Sequence, residues 1–193
     1  EEVSRGLGDV YKRQKYLLEE GEPTEVALAV VEHYLPRGAG DQLPSSDAGA
    51  VVALAERLEL LLSIFAKGER PSGSSDPYAL RRAGNGLLQI VWDRGWRLDL
   101  SRFLGSAVEN WTALFPEFAI DSSALHQDLC QLLRQRIVSQ LEDEGFAPDL
   151  VQAVSAESVA TERLLADPMD VRERLDLLNA LRQSKALPAL MAG

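Results

Sequence analysis

From Ser122 to Gly145 the apolar residues Leu125, Leu129, Leu132, Leu133, Ile137 and Leu141 return every three or four positions. That period places side chains on one face of an α-helix and on both faces of a strand, so it selects the helix. The same spacing runs through Thr24 to Leu35, Ala48 to Lys67, Leu100 to Leu114, Pro148 to Val154, Glu157 to Leu165 and Pro168 to Arg182. No segment alternates with a period of two, and no fixed-length repeat recurs. The expected fold class is all-α.

End signals sharpen this reading. Pro23 suits a helix start and Pro36 stops the first run, while Ser46 or Asp47 can cap the long helix that Gly68 closes. Asp76 followed by Pro77 reads as an N-cap with proline in the first turn, predicting a helix from there to about Arg94 with Gly95 beyond it. Gly84 and Gly86 fall inside that helix, where each costs roughly 1 kcal/mol relative to alanine, and close helix packing is the plain explanation. Trp92, Trp96 and Trp111 read as core or domain-contact residues. The opening residues 1–14 show no signal peptide and no clear amphipathic period; DVYKRQ (Asp9 to Gln14) resembles a translated sequencing adapter, so 1–14 is expected to be a non-native leader.

Charge limits the function. The chain carries a formal net charge of -10 and a sequence pI near 4.7, the reverse of a free-standing nucleic-acid-binding module. Between Lys67 and Arg102, however, seven bases (Lys67, Arg70, Arg81, Arg82, Arg94, Arg97, Arg102) face four acids, a local net charge of +3. Any contact with nucleic acid must therefore be local. No apolar run reaches the ~18 residues of a membrane span, and the single Cys130 permits no internal disulfide, which fits a reducing cytoplasm. A soluble, cytoplasmic protein is expected, without a membrane partner.

Catalytic patterns are sparse. Gly68 and Gly73 have phosphate-loop spacing, but Ser74 stands where lysine is needed and a helix precedes them instead of a strand. His33 and His126 lack metal-ligand spacing, and Cys130 sits on an apolar helix side where a buried thiol is the default. Glu56 and Glu59 share a helix face and could in principle hold a metal or proton, though solvated or ion-paired glutamates explain them better; on charge grounds they would face Arg81 and Arg82. Those two arginines close the string SSDPYALRR (Ser74 to Arg82). Guanidinium groups match phosphate oxygens in pairs, so Arg81 and Arg82 read either as an RNA-backbone contact or as salt bridges locking two helices. No catalytic or metal-binding residue is assigned.

Four pieces together carry a resemblance: YLPRGAGDQLP (Tyr34 to Pro44), AERLELL (Ala55 to Leu61), DPYALRR (Asp76 to Arg82) and LLRQRIVSQLEDEGFAPDLVQAV (Leu132 to Val154). In order and spacing they resemble an internal stretch of the β subunit of bacterial glycyl-tRNA synthetase, across most of residues 15 to 182. The resemblance implies a non-catalytic piece of a glycine-tRNA ligase, working with a separate α subunit in an α2β2 tetramer. ATP with Mg would be used at the α subunit, and tRNA-Gly would be gripped by β. It further implies a partial HD-like helical domain over 15–115 and, over 116–193, a helical segment leading toward an anticodon-binding domain. Glu56 and Glu59 stand where the family's long helix has aspartates, as vestigial HD-like positions; the longer side chain would misplace a hard-metal ligand. Lys67, Arg70, Arg81 and Arg82 are the candidate tRNA contacts. The competing readings are an HD-type metal-dependent phosphohydrolase, for which no His-Asp dipeptide is present, and a helical scaffold without an RNA role.

Overall fold

The structure is a computed structural model that describes residues 2–184. Within them the chain forms nine α-helices: α1 (Glu2–Glu19), α2 (Thr24–Glu32), α3 (Asp47–Ala66), α4 (Leu80–Asp93), α5 (Leu100–Leu114), α6 (Ser122–Asp143), α7 (Pro148–Ser155), α8 (Thr161–Ala166) and α9 (Pro168–Gln183). A 3-10 turn, Pro116–Phe118, joins α5 to α6. Among the described residues the only β-type pairing is an isolated bridge between Ser72 and Ser75. The chain is all-α. The last part of the expected 116–193 segment, residues 185–193, lies outside the described residues.

Helix α6 is the axle. Leu129, Leu133, Ile137 and Leu141 recur every four residues and are all fully buried, so one stripe of α6 meets α3, α4, α5, α7 and α8. Each such side chain contributes roughly 1.5–3 kcal/mol by leaving water. Against it α4 presents Leu80, Leu87, Leu88 and Val91, and α5 presents Leu100, Leu104 and Val108. Trp92 is buried with its Nε1 donating to the Pro168 carbonyl at 3.0 Å, which ties α4 to the start of α9. Trp96 and Trp111 are half-buried against the same core.

Residues 2–14 lie within α1, a continuous helix that packs on α2 and buries Val10. Two boundaries differ from the sequence reading. Helix α4 begins at Leu80, not after Asp76. Ala79 takes a left-handed conformation at φ 55°, and the Asp76 carboxylate reaches past it to accept from the backbone N–H groups of Leu80 (2.7 Å) and Arg81 (2.9 Å). Asp76 therefore caps the helix, but across a turn. Helix α8 starts at Thr161 because Arg134 of α6 donates to the carbonyls of Ser155, Ala156 and Val159 at 2.6–3.2 Å, holding that stretch as a turn.

Candidate nucleic-acid interface

Helices α3 and α4 form a hairpin whose two ends carry charge in opposite ways. At the α3 N-terminus, Glu32 ends α2 in a buried position. Its Oε1 accepts from the Ser45 amide (2.8 Å) and hydroxyl (2.6 Å), and its Oε2 from the Ser46 amide (3.1 Å) and hydroxyl. Burial would raise its pKa; the serine side-chain and backbone donors outweigh that and hold the carboxyl below its ordinary value. Gly49 leaves room for it, since a Cβ there would lie 2.0 Å from Glu32 Oε2.

About two turns beyond Gly49, Arg57 is buried, and among the described residues it has no carboxylate partner. Its guanidinium donates to four carbonyls, those of Ala53 (2.7 Å), Pro36 (2.7 Å), His33 (3.2 Å) and Tyr34 (3.3 Å). Burial pushes its pKa down, with Glu56 pushing back. Opposite it on α4, a Cβ at Gly86 would fall 2.5 Å from Arg57 Nε. Gly86 is the slot through which the arginine passes. Gly84 plays the same part for α6, with Arg136 Cγ 3.1 Å and Leu133 Cδ2 3.4 Å from the added Cβ. Close packing does explain both glycines, and their chief neighbours are arginines.

Sequence reasoning missed Arg57, Glu32 and Arg136. The available signal was an arginine on the apolar face of α3 and a glycine inside α4 to receive it.

The loop between α3 and α4 sorts the basic residues. Arg70 donates to Asp128 Oδ2 through Nε (3.0 Å) and Nη2 (2.6 Å), and to the carbonyls of Phe65 (2.6 Å) and Glu69 (2.9 Å). Its guanidinium also lies 4.2 Å from the centroid of the Phe65 ring. Arg70 is thus occupied by the protein itself. Arg94 pairs with Asp47 and Asp93, and Arg97 with Asp167 and Glu173. Lys67, Arg81 and Arg82 make no ion pair among the described residues; Lys67 and Arg82 are exposed and Arg81 is half-buried.

The salt-bridge reading of Arg81 and Arg82 fails. Neither comes within 4.0 Å of a Glu56 or Glu59 oxygen among the described residues, and Glu59 instead accepts from Ser63 one turn along its own helix. Arg81 lies close enough to Arg136 of α6 to depress that arginine's pKa, after the larger effect of burial. Arg136 Nε is buried and has no hydrogen-bond partner among the described residues. Only Arg82 faces the glutamates, across an open cavity of about 280 Å³ lined also by Tyr34, Pro36 and Ala83. A second cavity of about 270 Å³ shares Pro36 and Arg82 and continues along Asn85, Gly86, Gln140 and Asp143. Arg82 therefore stands at the middle of a groove, with the Pro36–Gly40 loop as its opposite wall.

Other chemistry is weaker. Among the described residues no group of three or more His, Cys, Asp or Glu is placed to hold a metal ion, and His33 uses Nδ1 on the Val30 carbonyl at 2.8 Å. The sequence reading pairs no base with Cys130, although His126 stands four residues earlier on α6, and there its Nε2 lies 3.4 Å from the thiol Sγ. That nitrogen is also 2.8 Å from the Ser101 carbonyl. A carbonyl only accepts, so Nε2 carries the proton and has no lone pair for the thiol. Burial further raises the Cys130 pKa, leaving the thiol protonated and inert.

The sequence family whose members this geometry can be compared with is well defined. The family model described as glycyl-tRNA synthetase beta subunit matches residues 13–156. The glycine-tRNA ligase beta subunit of Acaryochloris marina is 42% identical over 179 residues, 92% of this chain and 25% of the relative. The chain belongs to the glycyl-tRNA synthetase β-subunit family. The proteins of the same name from Trichodesmium erythraeum and Ectopseudomonas mendocina are 43% and 38% identical over 177 residues, covering 90% and 92% of this chain and 24% of each relative. The chain thus spans about a quarter of the length of the curated β subunits it matches. The matched range opens inside α1 and takes in Pro36, Arg57, Lys67, Arg81, Arg82 and Arg136, hence every side of the groove. Among the described residues no helix is long and apolar enough to cross a membrane.

Proposed function

We propose that this chain is a tRNA-gripping and assembly segment of a glycine-tRNA ligase β subunit, carrying no catalytic site of its own. It supports attachment of glycine to tRNA-Gly by a separate α subunit, where ATP with Mg is consumed, within a cytoplasmic α2β2 assembly. Residues 15–115 then correspond to the later part of an HD-like domain put to non-hydrolytic use, and the helices beyond 116 lead toward an anticodon-binding domain. Glu56 and Glu59 are vestigial positions in that scheme, exposed and without a third ligand.

The observation that carries the RNA contact is the sorting of cations. Arg70, Arg94 and Arg97 are closed by carboxylates, while among the described residues Lys67, Arg81 and Arg82, like Arg102, are left without ion pairs in an acidic protein. Unpaired guanidinium groups beside a groove are matched to phosphate, whose oxygens accept their donors in pairs. Arg70 then serves as the strut that holds the loop bearing Lys67. The test is the double variant Arg81→Glu, Arg82→Glu in a complete β subunit assembled with α. Two lost phosphate contacts would weaken tRNA binding and reduce the slope of log affinity against log salt by about 2. Unchanged binding, salt slope and glycine charging would overturn the assignment.

A further inference from the structure

The α5–α6 connection builds a surface of another kind. Helix α5 ends at Leu114, the 3-10 turn Pro116–Phe118 follows, and Ala119 closes it in a left-handed conformation at φ 47°. The ring of Trp111 lies 4.8 Å from that of Phe115 and 5.9 Å from that of Phe118, and those two are 6.3 Å apart edge to face. The cluster is ordered from beneath by Trp111, which packs on the core, and by Ser122 donating to Thr112 at 3.3 Å. Its outer side is bare: Leu114 is 73% exposed, Phe118 52% and Phe115 39%. Three adjacent apolar side chains held open to water by a rigid turn mark an interaction surface.

Charge identifies what fits it. From residue 103 through residue 133 the chain contains no lysine or arginine, while Glu109, Glu117 and Asp121 are acidic and exposed. Phosphate would be repelled here, which separates this surface from the groove around Arg82. A second copy of the chain would bring the same acids face to face. We infer that the Trp111–Leu114–Phe115–Phe118 surface is the seat of an apolar protein element edged with lysine or arginine, supplied by the remaining part of the same β-subunit polypeptide.

Size and length both point to a tethered occupant. A stable contact between separate proteins engages roughly 20–30 residues a side, far more than this cluster offers. A tethered element needs less, because the connection raises its effective concentration. The inference rests on the proposed reading of the chain as a β-subunit segment: the relatives are about four times as long as the stretch they share with this chain, and a polypeptide of that length would carry the covering element on the same chain.

The test is hydroxyl-radical footprinting of a complete β subunit containing this segment, native and in urea, read by mass spectrometry at Phe115 and Phe118. With β alone, both rings should label several-fold more slowly in the native protein than in urea, while Tyr78, exposed to 44%, labels at a comparable rate in both. Reversing the rim with Glu109→Lys and Glu117→Lys, neither of which caps a helix, should raise native labelling of Phe118 several-fold with the thermal midpoint of the segment's own core unchanged. Labelling of Phe118 as fast as in urea would overturn the inference. So would protection that appears only on adding the α subunit, or only on adding tRNA, and an indifferent response to the reversed rim would overturn the basic edge.

Discussion

The two ends of α3 handle charge by opposite rules. From its N-terminus to its middle a carboxylate and a guanidinium are buried, with the Ser45 and Ser46 donors on Glu32 and four backbone carbonyls on the two Nη atoms of Arg57. Beyond its C-terminus, Lys67, Arg81 and Arg82 make no ion pair among the described residues, on a loop and helix start that Arg70 and Asp76 hold in place. Buried charge is costly unless hydrogen-bonded, because desolvation otherwise costs several kcal/mol per ion. A cation kept unneutralised at the surface has no such constraint and is available to a ligand. The first end is framework and the second is interface.

That contrast can be broken by substitution, with the largest effect expected on the buried side. Arg57→Met removes the donors from four carbonyls in one step and should cost about 3 kcal/mol or more in a urea titration; a loss under about 1 kcal/mol would mean that water replaces it and that the site is not framework. Glu32→Gln keeps the shape but gives up charge-assisted bonds to Ser45 and Ser46, for a loss of about 2 kcal/mol at neutral pH. Its pH dependence follows from the direction of the shift. Glu32 is held below its ordinary value, so its contribution is complete above about pH 4.3, the usual glutamate value, and fades as pH falls through the lowered folded value. The variant should therefore lose less stability on acidification than the parent; parallel acid limbs would remove Glu32 from the framework.

Ala79→Gly should act in the other direction. The left-handed conformation at Ala79 costs a residue with a Cβ roughly 1–2 kcal/mol, so glycine should raise stability by about 1 kcal/mol after its greater unfolded-state entropy is allowed for. No gain in the thermal midpoint would show that the turn before Arg81 relaxes freely. The smallest effect on stability belongs to Arg82→Glu. It should stay within about 0.5 kcal/mol, as exposed substitutions do, while still weakening RNA binding. A large loss of stability would make Arg82 framework too and erase the distinction between the ends.

The helices were legible because their apolar periods are long and their ends carry proline, glycine and acidic caps. Where the reading erred, a distant partner had taken over a local signal. Asp76 and Pro77 look like the first residues of α4, but the carboxylate can cap from across a turn, and only the tertiary position of Ala79 shows that it does. The start of α8 moved because Arg134, 27 residues earlier than Thr161, claims the intervening carbonyls. The basic cluster was legible as composition, yet composition could not say that Asp128 would claim Arg70 or that Arg136 would stand beside Arg81. Such pairings depend on helix register, which a one-dimensional pattern leaves open.

Glu32 joins the last residue of α2 to the two serines that open α3, and Arg57 grips the chain only as far as Pro36. Residues 37–44 are therefore a bight in a rope whose standing parts are already made fast. Arg37 and Asp41 close the start of that stretch on itself and Leu43 seats its end on the core, so change is easiest at the exposed Ala39, while Gly40 at φ 74° has to keep its glycine. Since that stretch is one wall of the groove around Arg82, the surface presented to a ligand can be re-cut during divergence while the scaffold behind it keeps its shape.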